Sequence, residues 1–191
     1  MWTLWFMQDL ITGAKISISR FKIFSELLEI ASETFRLPNR AYLGTGGNAT
    51  GVAFTNLSIT GVNPPVINVD GTFNGYITNN IFVLGNYAYL ATSHATKKVI
   101  ILDISSLPYT EVGYFQPSTA TADIARSVYV VGTVGYVAIG QYVHTFNLTA
   151  KTGARAQYSR IKVVLNPNFG YSSTANVSKI IVRGNYLFAS L

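Results

Sequence analysis

The chain contains no cysteine. That excludes a disulfide framework, a cysteine-containing zinc site and a thiol nucleophile. Histidine occurs only as His94 and His144, too few for a metal cage built of imidazoles. Charge is scarce: charged residues make up 12% of the 191 residues against 49% hydrophobic, a balance that argues against disorder. After residue 40 the only acids are Asp70, Asp103, Glu111 and Asp123. No apolar run approaches the roughly 18 residues of a membrane-spanning helix, so no transmembrane span is predicted. The opening MWTLWFMQDL has no basic n-region and no small-residue cleavage site, which makes it a poor signal peptide.

Signatures of chemistry are equally sparse. There is no G-x-S-x-G elbow, no H-E-x-x-H and no calcium loop of the D-x-D-x-D-G kind. Gly44 to Ala49 matches G-x-G-x-x-A, but a dinucleotide site needs a helix to follow, and Val52-Ala53-Phe54-Thr55 reads as a strand. Gly46 to Gly51 has Walker spacing with Val52 where the phosphate-binding Lys must stand. Paired carboxylates for glycoside hydrolysis must converge on one sugar, and nothing local brings Asp70, Glu111 and Asp123 together. His94 reads as a surface residue of an inter-strand loop and His144 as a packed or edge residue. No catalytic, cofactor-binding or metal-binding residue is predicted, and no cofactor.

What the sequence does contain is β-forming. Sixteen Gly, 12 Tyr and 11 Phe stand beside only six Pro, amid many Thr, Asn, Val and Ile. The predicted class is all-β. One exception is FKIFSELLEIASE at 21–33, where Phe21, Phe24, Leu28 and Ala31 have helical spacing. A helical leader over 1–36 followed by β-structure over 37–191 is the expected division, with a degenerate outer strand as the rival reading of 21–33.

The β region repeats. Residues 80–105 read NIFVLGNYAYLATSHATKKVIILDIS: strand, Gly-Asn turn, strand, polar loop, strand. A shift of 47 places Tyr42 on Tyr89 and Asn56-Leu57-Ser58 on Asp103-Ile104-Ser105. The same shift forward places Gly132 on Gly85 and Tyr136 on Tyr89, with Asn147-Leu148-Thr149 closing the copy. A further copy opens in KIIVRGNYLFASL, where Gly184 repeats Gly132 at a spacing of 52. The Gly permits the positive φ of a tight hairpin, and the Asp or Asn closing the third strand is expected to cap the next turn. A period near 47 with three or four short strands fits a β-propeller blade; the rival is a β-sandwich whose hairpins look alike by chance. Sequons at Asn48, Asn56, Asn147 and Asn176 need no glycan: Asn56 and Asn147 fall at matching turn positions of the repeat.

NYAYLATSHATKKVIILDISSLP resembles the LVIVD repeat, a β-propeller repeat of bacterial and archaeal surface proteins. The likeness is close over 80–108, weaker over 127–150 and partial over 41–58 and 179–191. It implies a propeller with a binding or scaffolding role, at the cell surface or secreted, and no shared catalytic residues. Propellers have about four to eight blades, whereas this chain has room for about three and a half of this length. The expectation is therefore three to four incomplete blades, completed by the rest of a longer protein or by an oligomeric partner. Loops 92–98, 116–126 and 150–160 would hold a protein or carbohydrate partner. The alternative is part of a propeller-fold hydrolase or lyase whose catalytic residues lie elsewhere.

The net charge of +6 is uneven. Residues 41–96 hold no Lys or Arg, whereas 97–191 hold nine against three acids. Lys151, Arg155, Arg160 and Lys162 are the densest group. They read as a solvated loop between strands or as a weak polyanion site. No arginine-rich run or RNA-binding sheet motif points to a specific nucleic-acid partner.

Overall fold

The computed structural model describes residues 40–44, 52–60, 64, 66–163 and 175–191. The leader over 1–36, its helix at 21–33 and most of the Gly44–Ala49 motif lie outside the described residues. Within them the protein is all-β, with no helix.

Four sheets follow one another along the chain. The first holds β1 (Arg40–Gly44), β2 (Val52–Thr60) and β3 (Val66–Asn74). The second is a meander of β4 (Thr78–Leu84), β5 (Tyr87–Thr92), β6 (Val99–Asp103) and β7 (Thr110–Phe115). The third holds β8 (Ala125–Val131), β9 (Val134–Ile139) and β10 (Tyr142–Asn147). After β10, the short β11 (Gly153–Arg155) pairs parallel with β7 of the second sheet, and β12 (Gln157–Lys162) returns to β10. The fourth holds β13 (Lys179–Arg183) and β14 (Tyr186–Ser190). None of the sheets closes on itself.

The sheets stack face to face because their strands are apolar on both sides. In β5, Ala88 and Leu90 pack with Phe54 toward the first sheet, whereas Tyr89 and Ala91 face the third. In β6, Ile100 and Leu102 divide from Val99 and Ile101 in the same way. This is why VIILD reads as a continuous apolar run: both faces are covered. Val128, Val130, Val137, Ile139 and Phe146 of the third sheet meet the second. Ala138 and Val143 turn the other way, to Val177 and Ile180 at the fourth. The opening strands sit side by side, β1 against β4, β4 against β8 and β8 against β13.

The repeat extends to individual hydrogen bonds. Gly85, Gly132 and Gly184 open two-residue hairpins flanked by Leu84↔Tyr87, Val131↔Val134 and Arg183↔Tyr186. Their φ values are 57°, 54° and 54°. A Cβ on any of them would meet nothing within 4 Å, so backbone conformation rather than crowding selects glycine. Asp103 Oδ1 accepts the Ser105 amide at 2.9 Å, and Asn147 Oδ1 accepts the Thr149 amide at 2.7 Å. These are the expected caps. The Ile104 amide donates to Asn86 O and the Leu148 amide to Thr133 O, both at 2.8 Å.

Two expectations need correction. Asn56 does not end a strand; it lies within β2 opposite Tyr42, is buried, and donates to the Tyr109 hydroxyl at 2.9 Å. Tyr89, the counterpart of Tyr42, lies opposite Ile101. Fourteen positions separate Tyr42 from Asn56 and twelve separate Tyr89 from Ile101, so the 47-residue match slips by two across that connection. Segment 150–160, read as a loop, is mostly β11 and the start of β12.

Candidate functional site

The opening strands of successive sheets surround a polar cleft. Its volume is about 410 Å³. Tyr42 and Gly44 of β1, Thr78 to Ile81 of β4, Arg126 and Ser127 of β8, and Ser178, Lys179 and Ser190 at β13–β14 line it. The ladder between β4 and β5 shifts register between Thr78 and Asn80, and that between β8 and β9 shifts between Ala125 and Ser127. Asn79 and Arg126 are the extra residues. A bulge re-aims the side chain it carries, and the two bulges occupy the same place in the repeat.

The residues after the bulges tie neighbouring sheets together. Asn80 Oδ1 accepts the Val128 amide at 3.1 Å, and Ser127 Oγ accepts the Ile180 amide at 3.2 Å. Asn79 Nδ2 donates to Ser93 Oγ at 2.9 Å and to Ala125 O at 2.8 Å. Two polar atoms at the cleft are buried with no hydrogen-bond partner, Thr78 Oγ1 and Arg126 Nε. Among the described residues, the charged ones of the lining are Arg126 and Lys179, and no carboxylate is among them.

The cleft lies at the end of the sheets from which loops 92–98 and 116–124 emerge, since Thr78 pairs with Thr92 and Ala125 follows the second loop. Between these loops is a smaller hollow of about 230 Å³, lined by Ala95, Thr96, Lys98, Gln116 and Pro117 among others. Lys98 is buried there, and burial pushes its amine below the ordinary lysine range, with Asp123 opposing.

Beside the loops, Tyr76, Lys97 and Glu111 form a closed network. Lys97 Nζ donates to Glu111 Oε1 at 2.7 Å, and the Tyr76 hydroxyl donates to Glu111 Oε2 at 2.6 Å. Lys97 also lies 5.1 Å from the Tyr114 ring centre. The hydrogen bond that Lys97 donates to Glu111 is the main cause that raises the Lys97 amine, and burial is the main cause that raises the Tyr76 phenol. Both groups stay protonated, so the network clasps the β4 approach to β7 rather than supplying a nucleophile. His94 Nδ1 accepts the Thr96 and Lys97 amides at 3.2 and 3.1 Å and shapes the loop.

The four acids beyond residue 40 each have a local partner. Asp70 accepts from Ser58 Oγ at 2.7 Å, Asp103 caps its turn, Glu111 holds Lys97, and Asp123 accepts from Thr121 Oγ1 at 3.2 Å. Among the described residues, no three His, Asp or Glu side chains group as metal ligands. His144 is buried against Gln157, its Nδ1 3.2 Å from Oε1, and burial lowers its pKa.

The basic group divides in two. Lys151 Nζ donates to Leu148 O at 2.5 Å. Arg155 donates to Ala150 O at 2.8 Å, to Gly153 O at 3.3 Å and to Thr152 O. These two cations bind their own chain. Arg160 and Lys162 share one face of β12, where the Arg160 guanidinium lies 4.5 Å from the Tyr142 ring centre. The sequence reading passed over Arg126, Lys179 and Thr78. A signal for one was present: Arg126 is the only cation between Lys98 and Lys151, set at the start of an apolar strand. In the comparisons, no protein-family model and no curated protein matches the chain.

Proposed function

We propose that the chain is a non-catalytic binding or scaffold module made of β-propeller blades of the LVIVD-repeat kind, from a prokaryotic surface or secreted protein. One observation carries this reading. Equivalent turns, caps and inter-sheet hydrogen bonds recur in successive sheets whose opening strands lie side by side around one cleft. Radial repetition of four-stranded meanders is the propeller architecture. The separate engagement of Asp70, Asp103, Glu111 and Asp123 supports a binding role over an acid–base one. The partner is a protein or carbohydrate at the end where loops 92–98 and 116–124 emerge.

The test is saturable binding of the full chain to a glycan array and to prokaryotic cell envelopes. Replacing loops 92–98 and 116–124 by Gly-Ser segments is expected to abolish it. Binding indifferent to both loops, or turnover of a glycan substrate, overturns the reading.

A further inference from the structure

We infer that the cleft between the opening strands is a binding site for a carboxylate-bearing sugar of the uronic acid class. The inference rests on the binding-module reading for its choice of ligand face, and on the cleft for its chemistry. Buried polar atoms without a partner are rare in folded proteins. Here Thr78 Oγ1 and Arg126 Nε both lack one, and both belong to residues lining the same cleft. Thr78 is only 3% exposed. Both atoms are enclosed by the protein, so they mark strand starts whose polar groups the fold leaves unmatched, and the cations of the lining are what a ligand in the cleft would meet.

The charge of the lining sets the sign of that ligand. Arg126 and Lys179 contribute two cations, opposed by no carboxylate among the described residues of the lining. Guanidinium recognises planar oxyanions through paired N–H donors. The remaining polar lining is neutral: hydroxyls of Thr78, Ser127, Ser178 and Ser190 and amides of Asn79 and Asn80. Of these, Asn80 Oδ1, Ser127 Oγ and Asn79 Nδ2 already hold the sheets together, the last through Ala125 O. A site with fixed neutral walls and two cations suits one carboxylate on a body rich in hydroxyls. A cavity of about 410 Å³ lies within the range of small-molecule sites, about 300–1,000 Å³.

The experiment titrates the full chain by calorimetry with glucuronate, glucose and inorganic phosphate at low salt. Glucuronate is expected to bind at least tenfold tighter than either of the others, and to weaken as salt rises. Lys179→Gln, at an exposed position, and Arg126→Gln are each expected to cost at least tenfold in affinity, with the folded state checked by circular dichroism. Thr78→Val removes only an enclosed, unpaired hydroxyl; it is expected to raise the melting temperature of the free chain and to leave glucuronate binding unchanged. Equal binding of glucose overturns the charge argument. Equal binding of phosphate reduces the site to an unspecific anion site. No binding of glucuronate, or binding indifferent to Lys179 and Arg126, overturns the inference. Failure here with loop-dependent envelope binding intact removes the ligand and leaves the module.

Discussion

The strands β4 and β8 are two different surfaces along their length. Past their bulges they carry Phe82, Val128 and Val130 into the contact between the second and third sheets, where the packed residues are buried almost completely. At their starts the same strands present Thr78, Asn79, Asn80, Arg126 and Ser127 to the cleft. The difference shows a division of labour inside one repeat. Apolar alternation stacks the sheets, and the residues around each bulge both link adjacent sheets and leave polar groups unmatched. Stability therefore resides chiefly in the apolar sheet contacts, and the proposed ligand chemistry lies at the strand starts.

Substitutions can break this division in graded steps. The largest effect is expected in the apolar contact. Phe146 stacks on Phe115 with ring centres 4.5 Å apart and is fully buried. Phe146→Ala should cost about 3–5 kcal/mol in urea denaturation, whereas Arg126→Gln should leave the midpoint almost unchanged. A loss under 1 kcal/mol for Phe146→Ala would show that the sheets do not depend on this contact.

Next in size are the hairpin glycines. Each holds a positive φ in open space, so Gly85→Ala, Gly132→Ala and Gly184→Ala should each lose about 1–2 kcal/mol from backbone conformation alone. Similar losses at all three positions would confirm that the turns are copies; widely different losses would separate them.

Tyr89 sharpens the comparison further. Its hydroxyl is also buried without a partner, but in the sheet contact, and burial pushes the phenol up to about 12. Tyr89→Phe should gain about 1 kcal/mol and leave glucuronate binding untouched. A loss of stability in Tyr89→Phe would mean that the hydroxyl has a partner.

The smallest effect concerns pH. Burial depresses the His144 pKa below its unfolded value of about 6.5. The folded state then takes up fewer protons than the unfolded state, so this contribution is full above that value and is lost as the pH falls below it. The urea midpoint should decline from pH 7 to pH 5, and His144→Gln should flatten the decline. An unchanged slope in the variant would place the titration elsewhere.

The sequence disclosed what is local. Gly-Asn turns, alternating strands and the Asp or Asn caps are set within a few residues, and the hairpins at Gly85 and Gly132 follow the reading. The rest depends on distant neighbours. The slip at Asn56 arises in the length of a connection, which carries no alternation to betray it. β11 carries no local strand signal because its partner is β7, some forty positions earlier. Gly113 admits it, since a Cβ there would lie 2.1 Å from Lys151 O. The cleft was hidden for the same reason: Tyr42, Thr78, Arg126 and Lys179 are far apart in sequence and meet only when the sheets stack.

The sharpest test of the repeated inter-sheet bond is amide hydrogen exchange at Val128 and Ile180. Asn80→Ala should accelerate exchange at Val128 by about tenfold and leave Ile180 protected, and Ser127→Ala should do the reverse. Unchanged protection in both variants, or equal loss at both amides in either one, would contradict sheets joined as copies of one unit around a shared cleft.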